Sequence, residues 1–290
     1  MANILDLRRR IRSVRNTQQI TRAMKMVAAA RLRRAQERVL NSRPYAQQIF
    51  DMLQRVAARV EERKHPLLAE RPVERILLVL VTADRGLCGA FNSNLIRAAQ
   101  GYLNEHGFEH VSLLTVGRKG RDYFRKRPAV TIVGERVQLF GHLEYGQARE
   151  IAREIAALYT SESVDAVDFI YNEFKSIMTQ RLVVERYLPI KPPGPATAAP
   201  EGETLIDYIY EQPPEEIFAA LLPRYLESQV YRALVESEAA ELAAKMTAMD
   251  TATNNAADMI DSLTLYMNRV RQAAITKEII EIVGGAAAQE

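Results

Sequence analysis

The chain has 290 residues, of which 48% are hydrophobic and 26% charged, and its net charge is +3. This is an ordinary composition for a globular protein in water. Its longest apolar run, residues 76–83, is too short to span a bilayer. The first residues lack the basic start, apolar core and cleavage site of a signal peptide, so we expect a cytoplasmic chain. With Cys88 as the single cysteine, the sequence excludes an internal disulfide and a cysteine-based metal site.

Two long segments without glycine predict two long helices. No glycine precedes Gly86, and none lies between Gly202 and Gly284. Glycine is the usual helix terminator because it adopts positive φ without steric cost. We therefore predict one helix over residues 4–62 and another from residue 213 almost to the C-terminus, both far longer than the usual three or four turns.

The apolar residues of the first helix follow a heptad repeat. Their steps alternate between three and four residues, which is the spacing of a coiled-coil seam: Met24, Ala28, Leu32, Ala35, Val39, Ser42, Ala46, Ile49, Leu53, Val56 and Val60. Pro44 should loosen one turn of this helix, and Pro223 should kink the start of the other. The simplest partner for the seam is the alanine-rich C-terminal helix, running antiparallel. About sixty helical residues span about 90 Å, so we expect the pair to form a rod.

The middle of the chain alternates between predicted strands and helices. The apolar run at residues 76–82 suits a strand that is buried on both faces of a parallel sheet. Further strands are predicted at residues 111–116, 129–133, 164–174 and 181–187, the last two forming a hairpin, and helices at about 92–105 (capped by Asn92 or Ser93), 120–126 and 147–159. This order indicates an α/β domain with a mainly parallel sheet.

We therefore divide the chain into three parts. Residues 1–65 form the N-terminal coiled-coil helix, residues 70–212 the inserted α/β domain, and residues 213–290 the C-terminal coiled-coil helix. Within the α/β domain, the proline- and alanine-rich residues 192–204 are expected to be a linker or surface excursion. Residues 205–210 are expected to add one more strand.

Positive charge is concentrated on the first helix. Residues 6–43 include twelve basic and two acidic side chains, a surplus of about ten positive charges at neutral pH. Six acidic side chains lie between residues 236 and 261 of the second helix, and we expect both sets to be solvated, with each exposed pair worth at most about 1 kcal/mol. The remaining surplus fits an acidic protein surface or a phosphate polymer. Because no aromatic residue precedes Tyr45 to stack on bases, a protein partner is favoured, and a basic coiled-coil module that binds nucleic acid or an anionic surface is the alternative.

The sequence has no recognisable catalytic centre. Residues 86–89 follow a strand and precede a helix, but they match neither GxGxxG nor the Walker A spacing and predict a tight turn. Cys88 has no nearby histidine to activate it and is expected to be a small packed side chain, while Asp165 and Asp168 are expected to be solvated. The four histidines lack metal-ligand spacing: His65, His106, His110 and His142. We therefore expect no catalytic residue, cofactor or metal site, and an enzyme that uses the α/β domain is the third hypothesis.

Two terminal stretches carry a family resemblance. Residues 20–32 (ITRAMKMVAAARL) and residues 275–286 (ITKEIIEIVGGA) strongly resemble the gamma subunit of F-type ATP synthases. Residues 84–89 (DRGLCG), 171–174 (YNEF) and 271–273 (RQA) are similar to the same family. The resemblance covers essentially the whole chain. It implies a long antiparallel coiled coil made by the two ends of the chain, with a Rossmann-like, mainly parallel sheet domain inserted between them.

The resemblance also implies a function. The implied function is that of a bacterial central-stalk rotor, which is a shaft that turns inside the ring of three alpha and three beta subunits. Its rotation couples proton flow through the membrane c-ring to ATP synthesis or hydrolysis on the beta subunits. Implied partners are the alpha, beta and epsilon subunits and the c-ring, with one copy of the chain per complex. The asymmetric shaft contacts the three beta subunits differently, and these differential contacts set their nucleotide affinities. The chain itself would be non-catalytic, would bind neither nucleotide nor nucleic acid, and would be a peripheral membrane protein on the cytoplasmic face of the plasma membrane.

Three sets of residues receive roles from the resemblance. Contacts with the beta subunits are implied for Met24, Lys25, Lys245, Arg271, Gln272, Thr276 and Glu278. A basic face toward the acidic lever loops of the beta subunits comprises Arg8, Arg9, Arg10, Arg12, Arg15, Arg22, Arg31, Arg33 and Arg34. An apolar bearing tip comprises Ile279, Ile280, Ile282 and Val283. Lys245 is at a position where the family usually has arginine. Lysine keeps the positive charge but cannot form the two parallel hydrogen bonds that a guanidinium group makes to one carboxylate.

Overall fold

A computed structural model of the chain describes residues 4–57, 59–60, 65–191 and 212–287, with the backbone alone for residues 283–287. The predicted excursion at 192–204 and the predicted strand at 205–210 lie outside the described residues. The chain forms two compact units. The terminal unit consists of Met1–Ala29 and Lys245–Glu290, and the central unit of Ala30–Ala244. The division into parts at residues 1–65, 70–212 and 213–290 stays a prediction.

Both predicted long helices are present. Helix α1 covers Ile4–Ala57 and continues through Pro44. The prediction that it runs to residue 62 is wrong, because residues 59 and 60 are not helical and the Arg59 N–H donates to the Val56 carbonyl in a turn (3.0 Å). None of the helices in the described part of the chain contains a stretch long and apolar enough to cross a membrane.

The heptad seam of α1 is confirmed. In the central unit the predicted positions from Leu32 to Val60 are buried or half-buried. In the terminal unit the same spacing continues toward the N-terminus, beyond the predicted start at Met24, through Thr21, Gln18, Val14, Ile11 and Leu7, all buried or half-buried. The polar side chains of Gln18 and Thr21 hide this extension from a search for apolar periodicity. Thr21 is nevertheless satisfied, since its Oγ1 lies 2.8 Å from Thr253 Oγ1.

In sequence order the elements of the sheet domain are β1 (Ile76–Val81), α2 (Phe91–His106), β2 (Val111–Val116), α3 (Arg118–Phe124), β3 (Thr131–Arg136), α4 (Tyr145–Thr160), β4 (Ala166–Phe174) and β5 (Gln180–Leu188). The last helix is α5 (Pro214–Ala287).

Within each unit, α5 runs antiparallel to α1. In the terminal unit Thr21 meets Thr253 and Lys25 meets Asp250; in the central unit Arg38 meets Glu238 and Arg43 meets Glu236. Ala239, Ala240 and Ala243 of α5 are completely buried, as expected where small side chains let helices approach closely.

The sheet has the order β3-β2-β1-β4-β5. Strand β1 is parallel to both β2 and β4, with Ile76 opposite Val111 and Ala166. Strands β4 and β5 are antiparallel, which confirms the predicted hairpin, and every residue of β1 is buried. A mainly parallel sheet inserted between two long helices is therefore the observed fold class.

Two local predictions in this domain are wrong. Neither Asn92 nor Ser93 caps α2, which begins at Phe91 after Ala90 and has no side-chain cap. Asn92 instead holds the loop that follows β1, because its Oδ1 accepts from Ala83 N (2.9 Å). Strand β3, predicted at 129–133, lies two to three residues later, where it pairs with β2.

Candidate functional site

The nine arginines of the predicted basic face are all exposed. Two of them have acidic neighbours on the same helix: Arg9 lies 3.7 Å from Asp6, and Arg33 lies 3.6 Å from Glu37. Exposed pairs of this kind are worth well under about 1 kcal/mol. The other seven have no ion-pair partner within residues 4–57, 59–60, 65–191 and 212–287. Most of the positive charge on α1 is thus available to an outside partner.

The acidic residues of α5 do not form one solvated set. Asp258 and Asp261 are exposed as predicted. The prediction is wrong for Glu236, Glu238 and Glu241, whose exposed fractions are 3%, 2% and 5%. The reason is that α5 packs closely through its alanines, so that neighbouring elements cover these carboxylates. Glu236 and Glu238 pair with Arg43 and Arg38, which are not part of the basic face.

All seven predicted beta-contact residues belong to the terminal unit. Met24, Lys25 and Lys245 are half-buried. Lys25 Nζ donates to Asp250 Oδ1 at 2.6 Å, with 37% of the lysine and 46% of the aspartate side chain exposed. Lys25 is therefore held in place by α5 and still reachable from outside.

The other four predicted contact residues lie on the last part of α5. All are exposed: Arg271, Gln272, Thr276 and Glu278. Thr276 Oγ1 donates to the Gln272 carbonyl one turn earlier (2.9 Å), a local bond that leaves the Gln272 side chain free to contact another molecule.

The predicted bearing tip exposes large aliphatic side chains. The exposed fractions of Ile279, Ile280 and Ile282 are 54%, 65% and 72%, while the side chain of Val283 lies outside the described part. A cluster of exposed apolar side chains is typical of a surface that is covered by a partner. The tip therefore offers area for a contact that uses few directional bonds.

The loop after β1 is the tight turn that its glycines predict. Leu87 and Gly89 have positive φ angles of 63° and 56°, and the Phe91 N–H donates to the Cys88 carbonyl (3.2 Å). Cys88 is 2% exposed, which confirms that it is a packed side chain. Across the described residues, the structure contains no cluster of three or more His, Cys, Asp or Glu side chains that could hold a metal ion.

Asp165 and Asp168 are not solvated, so that prediction is wrong. Each is 4% exposed. Arg75 Nη2 donates to Asp165 Oδ1 at 2.9 Å, and this hydrogen bond holds the pKa of Asp165 below its usual value. Arg186 pairs with Asp168 from the neighbouring strand. Both carboxylates therefore join elements of the sheet domain.

Sequence reasoning also missed a cleft of about 780 Å³ in the central unit. It lies beside Pro44 on α1, against the end of β4 and one side of α5. Its lining includes Arg43, Phe50, Glu173, Tyr225, Arg232 and Glu236. These residues come from distant parts of the chain and share no spacing, so no sequence pattern could have indicated the cleft.

The family of this chain follows from its similarity to known proteins. The family model described as ATP synthase matches residues 3–289. The chain is 53% identical over 294 aligned residues to the ATP synthase gamma chain of Solibacter usitatus, with 100% of both chains covered. It is 50% identical over 290 residues to that of Desulfitobacterium hafniense, again with 100% of both covered. The chain belongs to the ATP synthase gamma-chain family.

Solved structures agree with the fold of this gamma-family chain. A chain in the cryo-EM structure of the Tetrahymena thermophila mitochondrial ATP synthase central stalk and c-ring is 26% identical, with a TM-score of 0.60, over 80% of this chain and 99% of that one. A chain in the Euglena gracilis mitochondrial ATP synthase is 20% identical, with a TM-score of 0.68, over 99% of this chain and 94% of that one. The resemblance carried by the terminal motifs is confirmed, and this gamma-family chain is a subunit of an ATP synthase.

Proposed function

We propose that this chain is the central-stalk rotor of a bacterial F1Fo ATP synthase. It turns inside the ring of three alpha and three beta subunits and couples proton flow through the c-ring to ATP synthesis or hydrolysis on the beta subunits. The observation that carries the proposal is the 53% identity to an ATP synthase gamma chain over the full length of both chains. The similar Tetrahymena chain comes from a structure of a central stalk and c-ring, which supports the same role.

The basic face is the surface for the beta subunits in this proposal. Seven of its nine arginines lack an ion-pair partner in the described part of the chain. Acidic loops on a ring of beta subunits would be attracted to these side chains without a fixed geometry, because exposed charges interact over several ångströms in water. Such contacts can be exchanged from one beta subunit to the next as the shaft turns.

The seven beta-contact residues supply the more specific interactions. Lys25 is oriented by Asp250 at 2.6 Å, so it presents its charge from a defined position. Arg271, Gln272, Thr276 and Glu278 are exposed polar side chains of α5. Contacts of this kind differ among the three beta subunits because the shaft is asymmetric, and differential contact is what shifts nucleotide affinity.

The bearing tip would turn in an apolar collar formed by the ring. Its exposed isoleucines bury apolar area, and that interaction is non-directional. A contact without directional bonds holds the shaft in place and resists rotation little. The same tip would be unsuited to a fixed joint.

The remaining parts of the proposal concern the other partners. One copy of the chain joins the complex, and its α/β domain contacts the epsilon subunit and the c-ring. It has no catalytic residue of its own and binds no nucleotide. Through the c-ring it is held at the cytoplasmic face of the bacterial plasma membrane.

Co-expression with the alpha and beta subunits tests the proposal. We expect a complex with one copy of this chain, whose ATPase activity is higher than that of alpha and beta alone and whose bound probe rotates during hydrolysis. A variant with Arg8→Gln, Arg9→Gln and Arg12→Gln should lower this stimulation, whereas Arg118→Gln with Arg125→Gln, exposed arginines of the sheet domain, should not. Failure to co-purify, together with steeply salt-dependent binding to DNA, would favour the basic nucleic-acid-binding module instead.

A further inference from the structure

Glu238 on α5 joins three elements of the central unit. Its Oε2 accepts from Arg38 Nη2 of α1 at 2.9 Å, and its Oε1 accepts from the Gly141 N–H in the loop before α4, also at 2.9 Å. Arg38 Nη1 reaches the carbonyl of Leu143 in the same loop (3.4 Å). The Glu238 side chain is 3% exposed. It is thus held from both sides, by an arginine of α1 and a backbone amide of the sheet domain.

Glu236 repeats this arrangement two residues earlier on α5. Its Oε1 accepts from Arg43 Nη2 of α1 at 3.3 Å, and its Oε2 accepts from the N–H of Phe174, the last residue of β4, at 3.0 Å. The Glu236 side chain is 4% exposed. Glu236, Glu238, Arg38 and Arg43 therefore form one set, which we call the carboxylate clamp.

Stability alone is a poor explanation for the clamp. Removing carboxylates from water is costly, and well-packed apolar side chains would hold the same helices at least as firmly. Around the clamp α5 already packs through Ala239, Ala240 and Leu242, which are buried. What ion pairs add is direction, because charge-assisted hydrogen bonds require a defined geometry. A helix packed only through small apolar side chains can turn about its axis or slide more easily.

We propose that the carboxylate clamp is the torque-bearing joint between the sheet domain and the two long helices. The inference rests on the proposed rotor function. Force applied to the sheet domain reaches α5 through the amides of Gly141 and Phe174, and α5 passes it to α1 through Arg38 and Arg43. Because each glutamate binds both a sheet-domain amide and an α1 arginine, neither helix can rotate about its axis without breaking a buried charged hydrogen bond.

The double variant Glu236→Gln with Glu238→Gln tests the joint. Glutamine keeps the shape but has one acceptor oxygen where glutamate has two. Each substituted side chain can therefore accept from the α1 arginine or from the sheet-domain N–H, but not from both. The matched control is Glu37→Gln, the same substitution at an exposed position of α1 (61% exposed).

Torsional stiffness of single assembled complexes is the direct measurement. A bead is attached through Lys126→Cys, an exposed position of the sheet domain, and its angular fluctuations are recorded while the alpha and beta subunits are fixed. We expect the stiffness to fall about twofold, because each glutamine keeps one of the two hydrogen bonds that the glutamate accepts. ATP-driven proton pumping should fall relative to ATP hydrolysis without load. Glu37→Gln should change neither.

The outcomes separate the inference from the function on which it rests. If the double variant has wild-type stiffness and an unchanged ratio of proton pumping to ATP hydrolysis, the proposal that the carboxylate clamp carries torque is refuted. A purely structural role would lower the yield of assembled complexes and leave the stiffness of each complex unchanged. If the double variant does not assemble, Arg43→Lys at a half-exposed position (51%) is the second test. It keeps the charge but replaces the planar guanidinium, which fixes the direction of the bond to Glu236, by a freely rotating ammonium group, and it should still lower the stiffness. A wild-type chain that forms no rotating complex would refute the proposed function instead.

Discussion

Asp168 on β4 and Arg186 on β5 form a bidentate ion pair across the antiparallel edge of the sheet. Arg186 Nε and Nη2 donate to the two oxygens of Asp168 at 2.8 and 3.0 Å. The hydroxyl of Tyr102 on α2 donates to the same carboxylate. Burial raises the pKa of Tyr102, and the hydrogen bond to Asp168 raises it further. One buried aspartate thereby fixes a helix and two strands relative to one another.

We expect Asp168→Asn to lower the free energy of unfolding by about 3 kcal/mol. The neutral amide leaves Arg186 without its counter-ion, and breaking a buried pair costs about 3–5 kcal/mol; the lower end applies because 36% of the Arg186 side chain is exposed. Urea unfolding of the full chain measures the change. Asp122→Asn is the matched control, since Asp122 is half-exposed and pairs with the adjacent Arg121. Equal losses in the two variants would contradict the prediction.

The features that the sequence predicts well are those with a local pattern. The heptads of α1, the apolar run of β1 and the short β4–β5 connection each occupy one stretch of chain, and each is confirmed. A residue's burial in such a pattern follows from its spacing alone. The family resemblance is equally local, since two short terminal stretches are enough to carry it.

The features that the sequence did not predict depend on partners far along the chain. Glu238 and Arg38 are 200 positions apart, and Asp168 and Tyr102 are 66 apart. Without a periodic signal, an isolated acidic residue is most simply interpreted as solvated. Burial of these carboxylates follows from tertiary packing, which brings the arginine or tyrosine to them.

Gly117 is the position where a methyl group should be least tolerated. Its φ is +91°, and a Cβ there would lie 2.0 Å from the Thr82 carbonyl oxygen. We expect Gly117→Ala to destabilise the chain by more than about 3 kcal/mol, because backbone strain adds to steric overlap in a packed core. Gly101→Ala is the control: nothing lies within 4 Å of its Cβ, and alanine is up to about 1 kcal/mol better than glycine inside a helix. Thermal unfolding of both variants should shift in opposite directions.

We expect His65 to make the free energy of unfolding depend on pH in mild acid. Its Nδ1 accepts from the Leu67 N–H at the start of a short 3₁₀ helix (3.2 Å), and burial lowers its pKa. The unfolded chain, with a histidine pKa of about 6.5, then binds the proton more tightly than the folded chain. The contribution of neutral His65 to the free energy of unfolding is therefore complete above about pH 6.5. It is lost as the pH falls through that value toward the lower pKa of the folded chain.

His65→Asn should remove this part of the pH dependence. Asparagine can still cap the turn through its side-chain oxygen but does not titrate. The free energy of unfolding, measured between pH 5 and 8, should therefore fall less steeply toward acid in the variant than in the wild type. His142→Asn replaces an exposed histidine and should leave the wild-type slope. Identical slopes for His65→Asn and the wild type would show that the cap does not titrate.

Arg271→Ala together with Gln272→Ala should weaken coupling without weakening the fold. Both side chains are exposed, and exposed substitutions of this kind change stability by no more than about 0.5 kcal/mol. In the proposed rotor they contact a beta subunit, and losing two exposed polar contacts of about 0.5 kcal/mol each corresponds to about a fivefold change in rate. We therefore expect ATP synthesis in inverted membrane vesicles to fall about fivefold, while Tm stays the same. Arg269→Ala, about 200° around the helix from Arg271 and also exposed, is the control that should retain synthesis. Wild-type synthesis in the double variant would remove these two residues from the contact with the beta subunits.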